Sequence, residues 1–158
     1  PASAIEILTE SFLKSGGHLP TIMQTLINLD ESWKHPLSKL KTPYEYAISA
    51  LRLTGLEPTA KQVIVGLEAL NYYAFAASSP AGFEDVASAW AAPDAMMKRI
   101  EWGHKLAQLL PARANPIQLA QDGLGDALSA ATRQTIERAP SVVDGIALLL
   151  ASPEFQRR

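Results

Sequence analysis

The residues best placed for chemistry are Glu101 and His104, in the run Glu101-Trp102-Gly103-His104. Glu-x-x-His puts a carboxylate and an imidazole on one helix face, and helix-bundle di-iron sites use two such pairs with two further Glu. Only one copy is present. The other histidines, His18 and His35, fall in expected loops, so the pair reads as solvated or locally bonded, with no metal site and no cofactor. Gly123-Leu124-Gly125 suggests a phosphate loop, but it follows a helix and lacks a third glycine and the Lys-Ser/Thr of a P-loop. It reads as helix-terminating glycines, and Asp122 and Asp126 beside it are too few for a calcium loop. No Gly-x-Ser-x-Gly elbow occurs, and the acidic pairs Asp30-Glu31 and Glu84-Asp85 sit at helix ends, where the helix dipole explains them.

The aromatic residues carry more information. Tyr72, Tyr73, Phe75, Phe83, Trp90 and Trp102 lie close in sequence and make up more than half of the 11 Phe, Trp and Tyr. One reading packs them into a central core. The other lines a groove around the Ser78–Asp85 loop with Tyr72, Phe83 and Trp90, able to bind a partner segment or an apolar ligand. Arg99, with Lys98, lies one turn into the following helix, where it could orient an anionic group.

Regular elements must position these side chains, and every strong signal is helical. Ser3-Ala4-Ile5-Glu6 reads as a capping box ahead of Ile5, Leu8, Phe12 and Leu13, with Gly16-Gly17 as the stop. Pro20 opens a second helix that carries Ile22, Met23, Leu26 and Ile27 and ends near Trp33. Lys34 to Lys41, with Pro36 and three lysines, reads as a solvated loop. Thr42-Pro43-Tyr44-Glu45 combines an N-cap, proline at the first helical position and a reciprocal Glu. The stripe expected below it is Tyr44, Ala47, Ile48 and Leu51, ended by Gly55. Thr59 with Gln62 caps a fourth helix through Val63, Leu67 and Leu70 towards Phe75. Its Val63-Ile64-Val65 triplet is strand-like, but the flanks keep a helical period.

After a Pro80-Ala81-Gly82 turn, a short helix is expected from Glu84 to Trp90. A long one follows from Pro93 to about Leu110, with Met96, Ile100, Gly103, Ala107 and Leu110 on one face. Pro111 and Pro116 bracket a polar loop, and helices over Pro116–Gln121, Asp126–Arg138 and Ser141–Ala151 complete the chain. The last has Asp144 three residues after its Ser cap. The fold class expected is all-α: a single globular multi-helix bundle of eight or nine helices over residues 1–158, without significant sheet. A weak internal echo joins Ile27–Lys34 to Leu149–Arg157, each placing a serine ahead of an aromatic and a basic residue. Either helix ends simply look alike, or each aromatic folds back beside its own helix.

Composition sets the outer limits. Fourteen Lys+Arg against 16 Asp+Glu, a net charge of −2, leave no electrostatic footprint for nucleic acid or an anionic membrane. The absence of cysteine removes disulfides and thiolate chemistry. The longest apolar run, Ile146–Ala151, is far below the roughly 20 residues of a membrane helix. No signal peptide is visible, and Pro1 in place of Met suggests a fragment or processed product.

Three segments carry a resemblance to a known family. The end of the chain, Leu148-Leu149-Leu150-Ala151-Ser152-Pro153-Glu154-Phe155-Gln156-Arg157-Arg158, is similar to the C-terminus of the bacterial domain-of-unknown-function 1800 family. Ser79–Asp85, Ala89-Trp90 and Pro93–Arg99 resemble that family's Gly-Trp-Pro-Asp, Trp and Leu-Leu-x-Arg series. Lys41-Thr42-Pro43-Tyr44-Glu45, leading to Ser49–Arg52, resembles its Lys-Ser-Pro segment and the helix after it. The chain departs from the pattern at Leu70-Asn71-Tyr72-Tyr73 and Ala77-Ser78, where a kinked, proline-containing loop is usual. The resemblance implies the C-terminal half of a longer bacterial protein, often exported or periplasmic, and supplies no reaction. On these residues the expected function is a noncatalytic helical interaction domain, its partner either its own N-terminal region or another protein. The alternative is part of a hydrolase or metal-assisted enzyme whose site is shared with that N-terminal half.

Overall fold

A computed structural model describes residues 2–34, 37–84 and 86–158; His35, Pro36 and Asp85, which the sequence reading placed in loops and an acidic pair, lie outside them. Among the described residues there are nine α-helices, two 3₁₀ turns and no strand, so the all-α class holds. The one β-type contact among them is an isolated antiparallel bridge between Leu40 and Arg157. Internal contacts divide the chain into two compact units, Pro1–Ser38 and Lys39–Arg158.

The first unit is a helical hairpin, α1 (Ala2–Ser15) and α2 (Leu19–Ile27), followed by a 3₁₀ turn over Asp30–Ser32. Ser3 is not the expected cap. The helix already runs through it, and its hydroxyl donates to Glu31 Oε1 at 3.4 Å. Gly16 and Gly17 end α1 at φ +61° and +80°, a region open to glycine because it has no Cβ. Helix α2 stops at Ile27, well short of Trp33. The Ser32 hydroxyl and the Trp33 indole N–H donate to Leu26 O and Ile27 O at 2.8 Å each, satisfying carbonyls that a longer helix would have used. Among the described residues of this unit only Ala4 and Leu29 are buried, and Ile5, Leu13, Leu19 and Trp33 are each at least two-thirds exposed.

The second unit holds α3 (Pro43–Thr54), α4 (Ala60–Ala69), the short α5 (Ala87–Trp90), α6 (Pro93–Ala107), α7 (Pro116–Leu124), α8 (Ala130–Glu137) and α9 (Val142–Ala151). Both capping boxes expected in this unit form: Thr42 with Glu45 and Thr59 with Gln62 each exchange hydrogen bonds in both directions. Ser141 caps α9 by accepting from the Asp144 N–H at 3.1 Å. Helix α4, strand-like triplet included, ends at Ala69 rather than near Phe75. Asn71 takes the left-handed conformation at φ +58°, which its short polar side chain tolerates, and the Tyr72 N–H closes onto Leu67 O. Helix α5 starts three residues later than Glu84. The Asp126–Arg138 segment divides into a 3₁₀ turn over Gly125–Ala127 and a helix capped by Ser129. Gly123 is a packing residue inside α7, where an added Cβ would stand 2.6 Å from Leu53 Cδ1; Gly125 alone terminates the helix.

Two helices are rotated about their axes relative to the sequence expectation. In α3 the buried residues are Pro43, Tyr46, Ala47 and Ala50, while Tyr44 is about half exposed. In α6 they are Arg99, Gly103, Leu106 and Ala107, and Ile100 is 43% exposed. The cause is shared. Tyr46 packs edge-on against Trp102 and Phe155, and its hydroxyl donates to Arg99 O at 3.1 Å, so both helices turn their polar-ended side chains inward. Helices α6 and α9 form the most extensive helix pair. Gly103 lets them meet α3, since a Cβ there would lie 2.8 Å from Tyr46 Oη and 3.4 Å from Leu150 Cβ. Tyr46, Ile146, Leu149, Leu150 and Phe155 are almost fully buried, each worth roughly 2 kcal/mol of transfer free energy.

Candidate functional site

Arg99 is the first residue to place, because it was expected at a ligand surface. Its side chain is 1% exposed. Nη1 donates to Gln156 Oε1 at 2.9 Å, Nη2 to Lys41 O at 2.7 Å, and the guanidinium lies 5.4 Å from the Tyr46 ring centroid. Nε is buried without a partner among the described residues. Burial lowers the Arg99 pKa and pushes the Tyr46 hydroxyl well above the usual tyrosine range. Lys41, expected to be solvated, also turns inward, donating to Phe155 O at 2.8 Å and lying over the Phe155 ring. Burial depresses its pKa, against the opposing pull of the Glu45 carboxylate.

The C-terminal residues close this cluster. Gln156 donates through Nε2 to Leu150 O at 2.8 Å, its main chain accepts from the Lys41 N–H, and Lys39 and Arg158 exchange both main-chain hydrogen bonds. Phe155, at 3% exposure, does fold back beside its own helix; Trp33 folds back too but stays exposed, so the internal echo does not extend to burial. The three segments that carried the family resemblance therefore meet around one buried guanidinium. That cluster holds the tail in place, with Arg99 and Gln156 both buried.

The other three expected site residues do come together. Tyr72 and Phe83 have ring centroids 4.7 Å apart, Phe83 and Trp90 6.0 Å, and Tyr72 and Trp90 6.3 Å. Tyr44 joins them at 6.0 Å from Tyr72. The Trp90 indole N–H donates to Glu84 O at 2.8 Å. No described residue from Asn71 to Trp90 is buried. Tyr73 is 56% exposed, and Phe75 is entirely in solvent with φ +63°, a conformation that costs a side-chain-bearing residue about 1–2 kcal/mol. Lys98 lies near this edge and donates to Asn71 Oδ1 at 2.7 Å, leaving the segment with a basic partner at its start.

Glu101 and His104 share an open groove of about 470 Å³ with Asp144, Pro140, Ala147 and Leu148. His104 is half-buried, with Nε2 3.2 Å from Gln108 Nε2, and Asp144 accepts from the Ser141 hydroxyl at 2.6 Å. No group of three or more His, Asp or Glu side chains suited to a metal ion occurs among the described residues.

The sequence reading missed a larger groove of about 630 Å³ between α4 and α6, floored by Trp102 and Leu106. Its signal was present in the outward apolar residues Val65 and Leu109, which the 3.6 period leaves off the buried face.

The family model described as "Protein of unknown function (DUF1800)" matches residues 1–157. No curated protein and no solved structure matches the chain.

Proposed function

We propose that this chain, which belongs to the DUF1800 family, is a noncatalytic helical interaction domain that binds an apolar protein segment on the aromatic surface of residues 71–90. The observation that carries this is Phe75: a whole phenyl ring in water on a left-handed backbone, three residues along the chain from Tyr72 of the Tyr72–Phe83–Trp90 ring cluster. Exposure and backbone strain both oppose folding, and both are offset when a partner covers the ring. Aromatic side chains with few rotatable bonds are the usual anchors of such contacts. The apolar residues left uncovered in Pro1–Ser38 support the same class of function.

A photo-crosslinking phenylalanine analogue at position 75 of the full-length protein, in its native host, tests this. One dominant protein adduct is expected from position 75, none from exposed Glu137, and the adduct should disappear when Tyr72→Ala and Trp90→Ala are added. Equal labelling from both positions would remove the proposal. A catalytic reading has the Glu101–His104–Asp144 groove in its favour, but Asp144 is engaged in its helix cap and His104 faces an amide. Ester or phosphoester turnover that vanishes in His104→Ala would be the result that revives it.

A further inference from the structure

The α4–α6 groove has a polarity of its own, independent of the aromatic surface. Lys98 bonded to Asn71, and Trp102 set against Gly66, fix α4 and α6 antiparallel. By the same register Lys61 at the start of α4 falls opposite the end of α6, where Lys105 and Gln108 lie. The lysines and the two glutamines that line the groove therefore gather at one end, and Trp102, Gly66 and Ala69 form the other.

Among the described residues no carboxylate lines this groove, although acidic residues outnumber basic ones in the chain. Neither lysine has an ion-pair partner among the described residues. Gln62 uses its Oε1 to accept from Thr59 in the capping box, which leaves its amide N–H groups for another acceptor. The lining elsewhere is apolar: Ala47, Leu51, Val63, Val65, Leu106 and Leu109. Gly66 keeps the indole edge uncovered, because a Cβ there would stand 3.0 Å from Trp102 Nε1. A volume of about 630 Å³ falls within the range of small-molecule sites.

We propose that this groove binds a single-chain anionic amphiphile, its head between Lys61 and Lys105 and its alkyl tail along Trp102 and Leu106. A free fatty carboxylate is the ligand that fits. Burial of the tail supplies the driving force, and the paired ammonium groups set the direction and the preference for an anion.

Calorimetry on the full chain with dodecanoate, kept below the concentration at which it self-associates, tests the proposal against dodecanol and dodecyltrimethylammonium. Saturable one-to-one binding of dodecanoate is expected, with the cationic amphiphile at least tenfold weaker and dodecanol between them. The double variant Lys61→Gln/Lys105→Gln changes only exposed side chains and should lose about tenfold in dodecanoate affinity, near the upper range for two exposed charge pairs. Leu109→Asp, also at an exposed position, should weaken binding further. Phe75→Ser should leave it unchanged, so that failure of the aromatic surface and failure of this groove are told apart. Equal affinity for the cationic amphiphile, undiminished binding by the lysine variant, or an acidic amphipathic peptide binding there when dodecanoate does not, would each overturn the assignment.

Discussion

A single buried side chain organises the second unit. Among the described residues Arg99 has no carboxylate beside it; carbonyl and amide oxygens and an aromatic face hold its charge. Removing the guanidinium strands Gln156 Oε1 and Lys41 O in the interior, so Arg99→Ala should cost about 3 kcal/mol in urea unfolding. Arg99→Lys should recover no more than about half of that, since an ammonium cannot bridge two acceptors with a planar fork. Glu154 gives a pH signature. Burial alone would raise its carboxyl, but hydrogen bonds from the hydroxyls of Ser129 and Thr132 and from nearby main-chain N–H groups outweigh it, and the pKa falls below the usual 4.5. A carboxylate with a depressed folded-state pKa adds stability above the unfolded value and loses it as pH falls through the folded one. Denaturation series at pH 7, 5, 4 and 3 should therefore show a shallower acid decline for Glu154→Gln than for the parent.

Between elements, one of the tight approaches is at Gly103. In an exposed helix Gly→Ala gains about 1 kcal/mol. Here the new methyl meets Tyr46 Oη and Leu150, and Gly103→Ala should destabilise by about 1–2 kcal/mol. Adding Tyr46→Phe removes the atom it strikes, so the double-mutant cycle should show a favourable coupling of about 1 kcal/mol; strict additivity would mean that the helices part instead. Helix starts were the most legible part of this level. Thr42/Glu45, Thr59/Gln62 and Ser141/Asp144 all form the hydrogen bonds their spacing predicted, because a cap is complete within four residues. Helix ends were less so: α2 and α4 stop early because side chains or main-chain groups further along the sequence take up their last carbonyls.

For the molecule as a whole, the two units differ in what they bury. Residues 39–158 contain both hydrophobic clusters, whereas the first unit, among its described residues, buries Ala4 and Leu29 alone. Residues 39–158 expressed alone should give one cooperative thermal transition with a near-ultraviolet signal. A peptide of residues 1–38 should be less than about one-third helical by circular dichroism, since helices this short are marginal without packing. A molten, non-cooperative 39–158 would contradict the assignment of the core to that unit.

The sequence by itself determined the helical class, three of its four expected cap pairs, the absence of any apolar run long enough to span a membrane, and the family. It also placed Tyr72, Phe83 and Trp90 in one cluster. These follow from local spacing, or from aromatic side chains that are near neighbours along the chain. Only the tertiary structure decided which face of each helix turns inward. Arg99 belongs to the core because Lys41 O and Gln156, 58 and 57 residues away, supply its acceptors. Periodicity marks a charged residue as surface and holds no record of partners that distant. The α4–α6 groove escaped for the same reason: its shape depends on two helices meeting at Gly66 and Trp102, a contact between residues that nothing in the linear sequence connects.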